Sequence, residues 1–101
     1  MILVNARCSI LPEKRAEFIN EVHRIMAVVR KENGCIRYDL VSDVSDPDIF
    51  YFIEEWESKR HLDAHLERSH MIAYFAKTSA CHSAPTDLTI YEIKSCETIK
   101  L

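Results

Sequence analysis

The chain has 101 residues, 48% of them hydrophobic and 29% charged, with a formal net charge of −3. That length and apolar content suffice for one core without metal or disulfide support, so residues 1–101 are expected to form a single domain. The charges are scattered with no basic block, which excludes the electrostatic footprint of a nucleic-acid partner and offers an acidic substrate nothing.

Met1–Ile10 is apolar but has no charged leading region and no small-residue cleavage site, so it is expected to be a strand and not a signal peptide. Ile2, Val4, Ala6, Cys8 and Ile10 alternate with Leu3, Asn5, Arg7 and Ser9, giving one wholly apolar face and one that carries polar groups. The apolar face is the one expected to meet a twin subunit, and the Asn5 face the one expected beneath the helices. Pro12 opens a helix, and Phe18, Ile19, Val22, Ile25, Met26 and Val29 recur at helical spacing. Asn33-Gly34 closes it, with the only glycine of the chain placed to take the left-handed cap conformation.

Cys35–Val41 alternates again, with Ile36, Tyr38 and Leu40 on one side, and Ser42–Asp48 supplies turn residues. In the returning strand Ile49–Trp56, Ile49, Tyr51 and Ile53 fill one face while Phe50, Phe52 and Trp56 fill the other. A second helical region begins near Ser58, with a break near Ser69. It sets Leu62, Leu66, Ile72, Ala73, Phe75 and Ala76 on its inner side. Pro85-Thr86-Asp87 interrupts the chain, and Leu88–Cys96 reads as the last strand.

The order strand, helix, strand, strand, helix, strand is the βαββαβ pattern of a ferredoxin-like α+β domain with a four-stranded antiparallel sheet. Two helices cover one face of such a sheet, and strands apolar on both sides call for a further layer, so a symmetric homodimer with its sheets face to face is expected. No stretch approaches the roughly 20 apolar residues of a membrane span, and the chain is expected to be cytoplasmic, with no membrane partner. Cys8, Cys35, Cys81 and Cys96 form no CxxC pair and stand among apolar neighbours, so they are expected to be reduced, structural thiols.

No phosphate loop, GxGxxG, HExxH or GxSxG is present, which leaves any activity to a pocket. The polar candidates within otherwise apolar elements are Asn5, Glu54, His65, His70 and Tyr74. An amide at Asn5 either holds developing negative charge on a substrate oxygen or is satisfied by backbone. Glu54 lies on the side of Phe52 and Trp56, where its pKa rises unless a cation such as Arg7 pairs with it. His65 is a candidate general base or a helix-surface histidine. His61 and His65, one turn apart, lack the further ligands of a closed metal site, and Cys81-His82 has only adjacency to suggest a catalytic pair.

Three segments taken together resemble the antibiotic biosynthesis monooxygenase (ABM) family, particularly its quinol monooxygenase-like members. They are Lys31-Glu32-Asn33-Gly34-Cys35 with Tyr38; Glu54-Glu55-Trp56-Glu57-Ser58; and His61-Leu62-Asp63-Ala64-His65-Leu66 with Ser69-His70-Met71 and Tyr74. The resemblance implies a dimeric α+β barrel and oxidation of a small quinol-like or polyphenolic aromatic by molecular oxygen. It implies no flavin, haem or metal, with the substrate itself supplying the electrons. Carried over by position, it gives Asn5 the oxyanion, His65 with Tyr74 the proton, His70 a place in the pocket lining, and Trp56 after Glu54 the role of a structural aromatic; Arg7, Phe52, Glu54, Trp56 and His70 are the residues expected to bind substrate. The same scaffold hosts isomerases of small hydroxy-ketones and members without established activity, so both an isomerase and a non-catalytic binding dimer stand as alternatives.

Overall fold

The computed structural model describes all 101 residues. Its elements are β1 (Ile2–Ser9), α1 (Arg15–Val29), β2 (Cys35–Ser42), β3 (Ile49–Trp56), α2 (Lys59–Leu66), α3 (Ser69–Thr78) and β4 (Asp87–Glu92). The strands form one antiparallel sheet in the order β2-β3-β1-β4, the ferredoxin-like arrangement. No helix is long and apolar enough to cross a membrane.

Local chemistry sets the boundaries. Pro12 begins a 3-10 turn that leads into α1, whose buried stripe is Phe18, Val22, Ile25 and Val29. Gly34 turns the chain out of the helical region at φ 84°, and Gly34 O then accepts a bond from the Glu57 amide, which ties the end of α1 to the end of β3. Ser58 caps α2, its hydroxyl accepting from the His61 amide. Arg68 is extended and separates α2 from α3.

Four expectations need correction. The faces of β1 are reversed: Ile2, Val4, Ala6, Cys8 and Ile10 are buried beneath the helices, while Leu3, Asn5, Arg7 and Ser9 line the uncovered side. Alternation fixes which side chains share a face but not which face the helices choose, and the apolar stripes of α1, α2 and α3 bury most surface against the wholly apolar one. In β2 the register slips between Cys35 and Arg37, and Ile36 is turned out to solvent. The extended Arg68 also resets the helical phase. Met71, Tyr74 and Thr78 face inward on α3, and Ile72, Ala73, Phe75 and Ala76 do not. Finally, β4 ends at Glu92, opposite Ile2; one further bond runs from the Ile93 amide to Met1 O, and the residues up to Cys96 are not strand.

Candidate active site

The small side chains of Ala6 and Cys8 on β1 leave a gap between sheet and helices, a cavity of about 230 Å³. Its floor is completed by Phe52 and Glu54 of β3 and Tyr38 of β2, and its roof by His65 of α2 with Met71 and Tyr74 of α3. Phe75 and Leu88, both about half exposed, stand at the rim, and His82 and Thr86 close the side towards β4. No lysine or arginine lines it.

His65 is 1% exposed, its ring 4.5 Å from that of Trp56 and edge-on to Tyr38. Its Nδ1 lies 2.9 Å from Glu32 Oε2. A carboxylate only accepts, so Nδ1 carries the proton and Nε2 is left as the free acceptor, without a partner in the chain. Burial holds the imidazole below its ordinary value, against the opposing pull of Glu32, which keeps it neutral and basic near neutral pH. Glu32 itself is nearly sealed from solvent, and Arg68 Nε stands 3.5 Å from its Oε1. This carboxylate was missed as a site residue. Its signal was positional: an acid placed just beyond the C-terminus of α1 opposes the helix dipole and so needs other partners.

Glu54 accepts a bond from Trp56 Nε1 at 3.0 Å and is not paired with Arg7, which points from the opposite face of the sheet. Burial pushes its carboxyl up to about 7, against the Trp56 bond, and the nearby charge of Glu32 adds to the rise. The folded chain therefore retains a proton on Glu54 between its unfolded value of 4.5 and about 7. That contribution to stability is complete below the unfolded value and is lost as pH rises through the folded one. Glu54→Gln keeps an oxygen for Trp56 and removes the charge. In urea melts it is expected to match wild type at about pH 5 and to exceed it by on the order of 2–3 kcal/mol at about pH 8. His65 works in the other sense, losing its contribution as pH falls, but it is common to both proteins and cancels in the comparison. Equal stabilities at both pH values would refute the desolvation of Glu54.

The other candidates divide cleanly. Tyr74 and Phe52 line the cavity, and burial pushes the phenols of Tyr38 and Tyr74 well up, so Tyr74 is a hydrogen-bond donor and not a base. Trp56 is wholly buried behind His65 and Glu54 and positions both instead of touching the cavity. His70 lies outside the cavity, on the far side of Glu32. Asn5 and Arg7 are not part of the cavity, because β1 turns them to the uncovered face, where Asn5 sits between Ile53 and Thr89. His61 and His65 diverge, His61 Nδ1 lying 2.7 Å from Ser58 Oγ. Cys81 and His82 diverge too, with Cys81 beside Glu17 and His82 against Phe18. The four cysteines are free, and burial raises the Cys8 thiol and takes Cys35 to about 11.

A ferredoxin-like sheet with a small, largely apolar cavity on its helical side, one neutral imidazole held by a carboxylate, and one carboxyl that burial pushes up to about 7 defines an α+β protein whose cavity wall carries groups able to take and give protons. The model of the antibiotic biosynthesis monooxygenase family matches residues 1–77, from β1 into α3, and the chain belongs to that family. "Putative monooxygenase YcnE" of Bacillus subtilis is 32% identical over 93 residues, covering 92% of this chain and 98% of YcnE. "Probable quinol monooxygenase YgiN" of Escherichia coli is 40% identical over 68 residues, 59% of this chain and 65% of YgiN. Among solved structures, a conserved protein from Methanosarcina mazei Go1 superposes with a TM-score of 0.89 at 33% identity, covering 92% of each chain.

Proposed function

We propose that the protein is a cofactor-independent monooxygenase of a small quinol-like aromatic, with the cavity as its active site. The observation that carries the reading is His65: its Nε2 has no partner in the chain, it stands on a largely apolar wall, and Glu32 holds the ring in the accepting tautomer, which nothing does for His82, the other imidazole of the wall. The family and the name borne by YgiN support the substrate class. The cavity lies below the roughly 300 Å³ at which ligand sites usually begin, which favours a substrate of one or two rings.

In this reading His65 Nε2 takes a proton from a substrate hydroxyl, and the phenolate becomes electron-rich enough to reduce dioxygen. Four electrons pass from a hydroquinone to O₂. One oxygen atom remains on the ring as the hydroxyl of a hydroxyquinone, and the other leaves as water. Tyr74 and the protonated Glu54 donate hydrogen bonds to the oxygens that gain charge, in a pocket dry enough to strengthen those bonds. An isomerase of a phosphorylated hydroxy-ketone is less well served, because no cation faces the cavity to meet a phosphate. The test is oxygen uptake by metal-free protein with a panel of hydroquinones, followed by mass analysis of the product. Turnover that continues unchanged without oxygen would replace the reading with the isomerase.

A homodimer belongs to the same proposal. The uncovered face presents Leu3, Tyr51, Ile53 and Tyr91 around Asn5, a mixed but substantially apolar surface that a second sheet would cover. Sedimentation at micromolar concentration is expected to show a dimer, and Ile53→Lys, at the centre of that face, a monomer. A wild-type monomer would refute the pairing.

A further inference from the structure

His65 is 1% exposed, so its Nδ1, on the side away from the cavity, can reach solvent only through the groups bonded to it. The structure offers one connected route. Glu32 Oε2 lies 2.9 Å from His65 Nδ1 and 2.8 Å from His70 Nε2, so a single oxygen touches both imidazoles. Side-chain exposure rises along the series from 1% at His65 through 6% at Glu32 to 27% at His70. His70 and Glu32 both border a second, open hollow, together with Lys31, Asn33, Arg68 and Ser69.

We propose that Glu32 and His70 complete a proton path that joins His65, and through it the cavity, to solvent at the junction of α1, α2 and α3. The proposal rests on the base role of His65 given above. A proton accepted at His65 Nε2 is matched by release of the Nδ1 proton to Oε2. His70 holds its own proton on Nε2 against the carboxylate, so it first exchanges through water to the Nδ1–H tautomer; Oε2 then hands the proton to Nε2, and His70 Nδ1 gives one to water. One proton leaves the cavity, and Glu32 and His70 end with the charges they began with. When Nε2 later returns its proton to reduced oxygen, the reverse sequence refills Nδ1, so no ring has to flip.

Because one oxygen serves both transfers, the carboxylate need not rotate. The two ring nitrogens meet at that oxygen instead of converging on an empty point, which is hydrogen-bond geometry and not that of a metal site. The charged and titratable groups facing the path are Arg68 on Glu32, Glu54 and Cys35 near the same carboxylate, Lys31 in the hollow, and Tyr38 beside His65, with the Trp56 ring against His65. None interrupts the chain of transfer.

The test uses His70→Gln, which retains a donor to Oε2 but cannot relay a proton, together with His70→Ala, which leaves room for a small base. Both are expected to lower kcat roughly tenfold in weak buffer with KM unchanged. Added imidazole should restore His70→Ala. His23→Ala, on the exposed side of α1, should behave as wild type. Independently of turnover, ¹⁵N NMR should show slower solvent exchange of the His65 Nδ1 proton in His70→Gln, with the tautomer unchanged. Exchange and kcat both unaffected by His70→Gln would overturn the path and leave Glu32–His70 a structural tie. Should no quinol be oxidised at all, the functional reading fails, and the exchange measurement still decides the path.

Discussion

His65→Gln is expected to lower kcat/KM for quinol oxidation by roughly 10²–10⁴-fold, with most of the loss in kcat. Glutamine approximates the volume of the imidazole, so the packing against Trp56 and Tyr38 is largely kept and the variant should fold. What it lacks is a basic nitrogen at the cavity wall. The wild-type rate should rise with pH through an inflection below the ordinary imidazole value, because burial lowers the pKa of this group and only its neutral form accepts a proton. In His65→Gln that limb should vanish. Retention of wild-type kcat by the variant would remove His65 from the mechanism.

The second large effect is on stability. Gly34 has φ 84°, and a β-carbon there would stand 2.3 Å from two atoms of the His61 ring. Gly34→Ala combines the strain of a left-handed alanine with displacement of the first turn of α2, and a loss of roughly 2–4 kcal/mol in urea denaturation is expected. Asparagine, which tolerates the backbone conformation, should not help, because its β-carbon meets the same ring. Removing the ring with His61→Ala should recover part of the loss, the remainder coming from the left-handed backbone together with the retained β-carbon of residue 61, which lies 2.7 Å from the new one. If Gly34→Ala costs as much in the His61→Ala background as in wild type, contact with the ring is not the cause. Since His65 lies one turn beyond His61, the same substitution should also loosen the bond from His65 to Glu32.

The elements were legible because each is marked twice. In α1 the stripe from Phe18 to Val29 is bracketed by Pro12 and Gly34, and β3 is bracketed by the Asp-rich turn before Ile49 and the cap at Ser58. Information that depends on the third dimension was not legible. Nothing in the alternation of β1 says which face the helices take, so Asn5 was placed in the pocket when the fold turns it away. Nothing in the spacing of Leu62 and Leu66 reveals that Arg68 restarts the phase, so Ile72 was read as inner where Met71 is. The site suffers most from this. His65, Glu54, Phe52 and Tyr74 were nominated as polar or aromatic residues in apolar elements, and they do converge on one cavity. Glu32 lies 33 residues from His65 and in no regular element, so only the closed fold brings the two together.

The two faces of β1 also differ in the kinds of sequence change they can absorb. Replacing one outward side chain alters one position of the uncovered face, and replacing Ala6 or Cys8 reshapes the cavity floor alone. Inserting or deleting a single residue near Val4 does neither. It exchanges every subsequent inward and outward side chain at once, moving Arg7 beneath the helices and Cys8 into the open. Lineages of this chain should therefore substitute single residues of β1, the outward ones most readily, far more often than they change its length, and their insertions should gather in the Asp43–Asp48 turn and after Cys81.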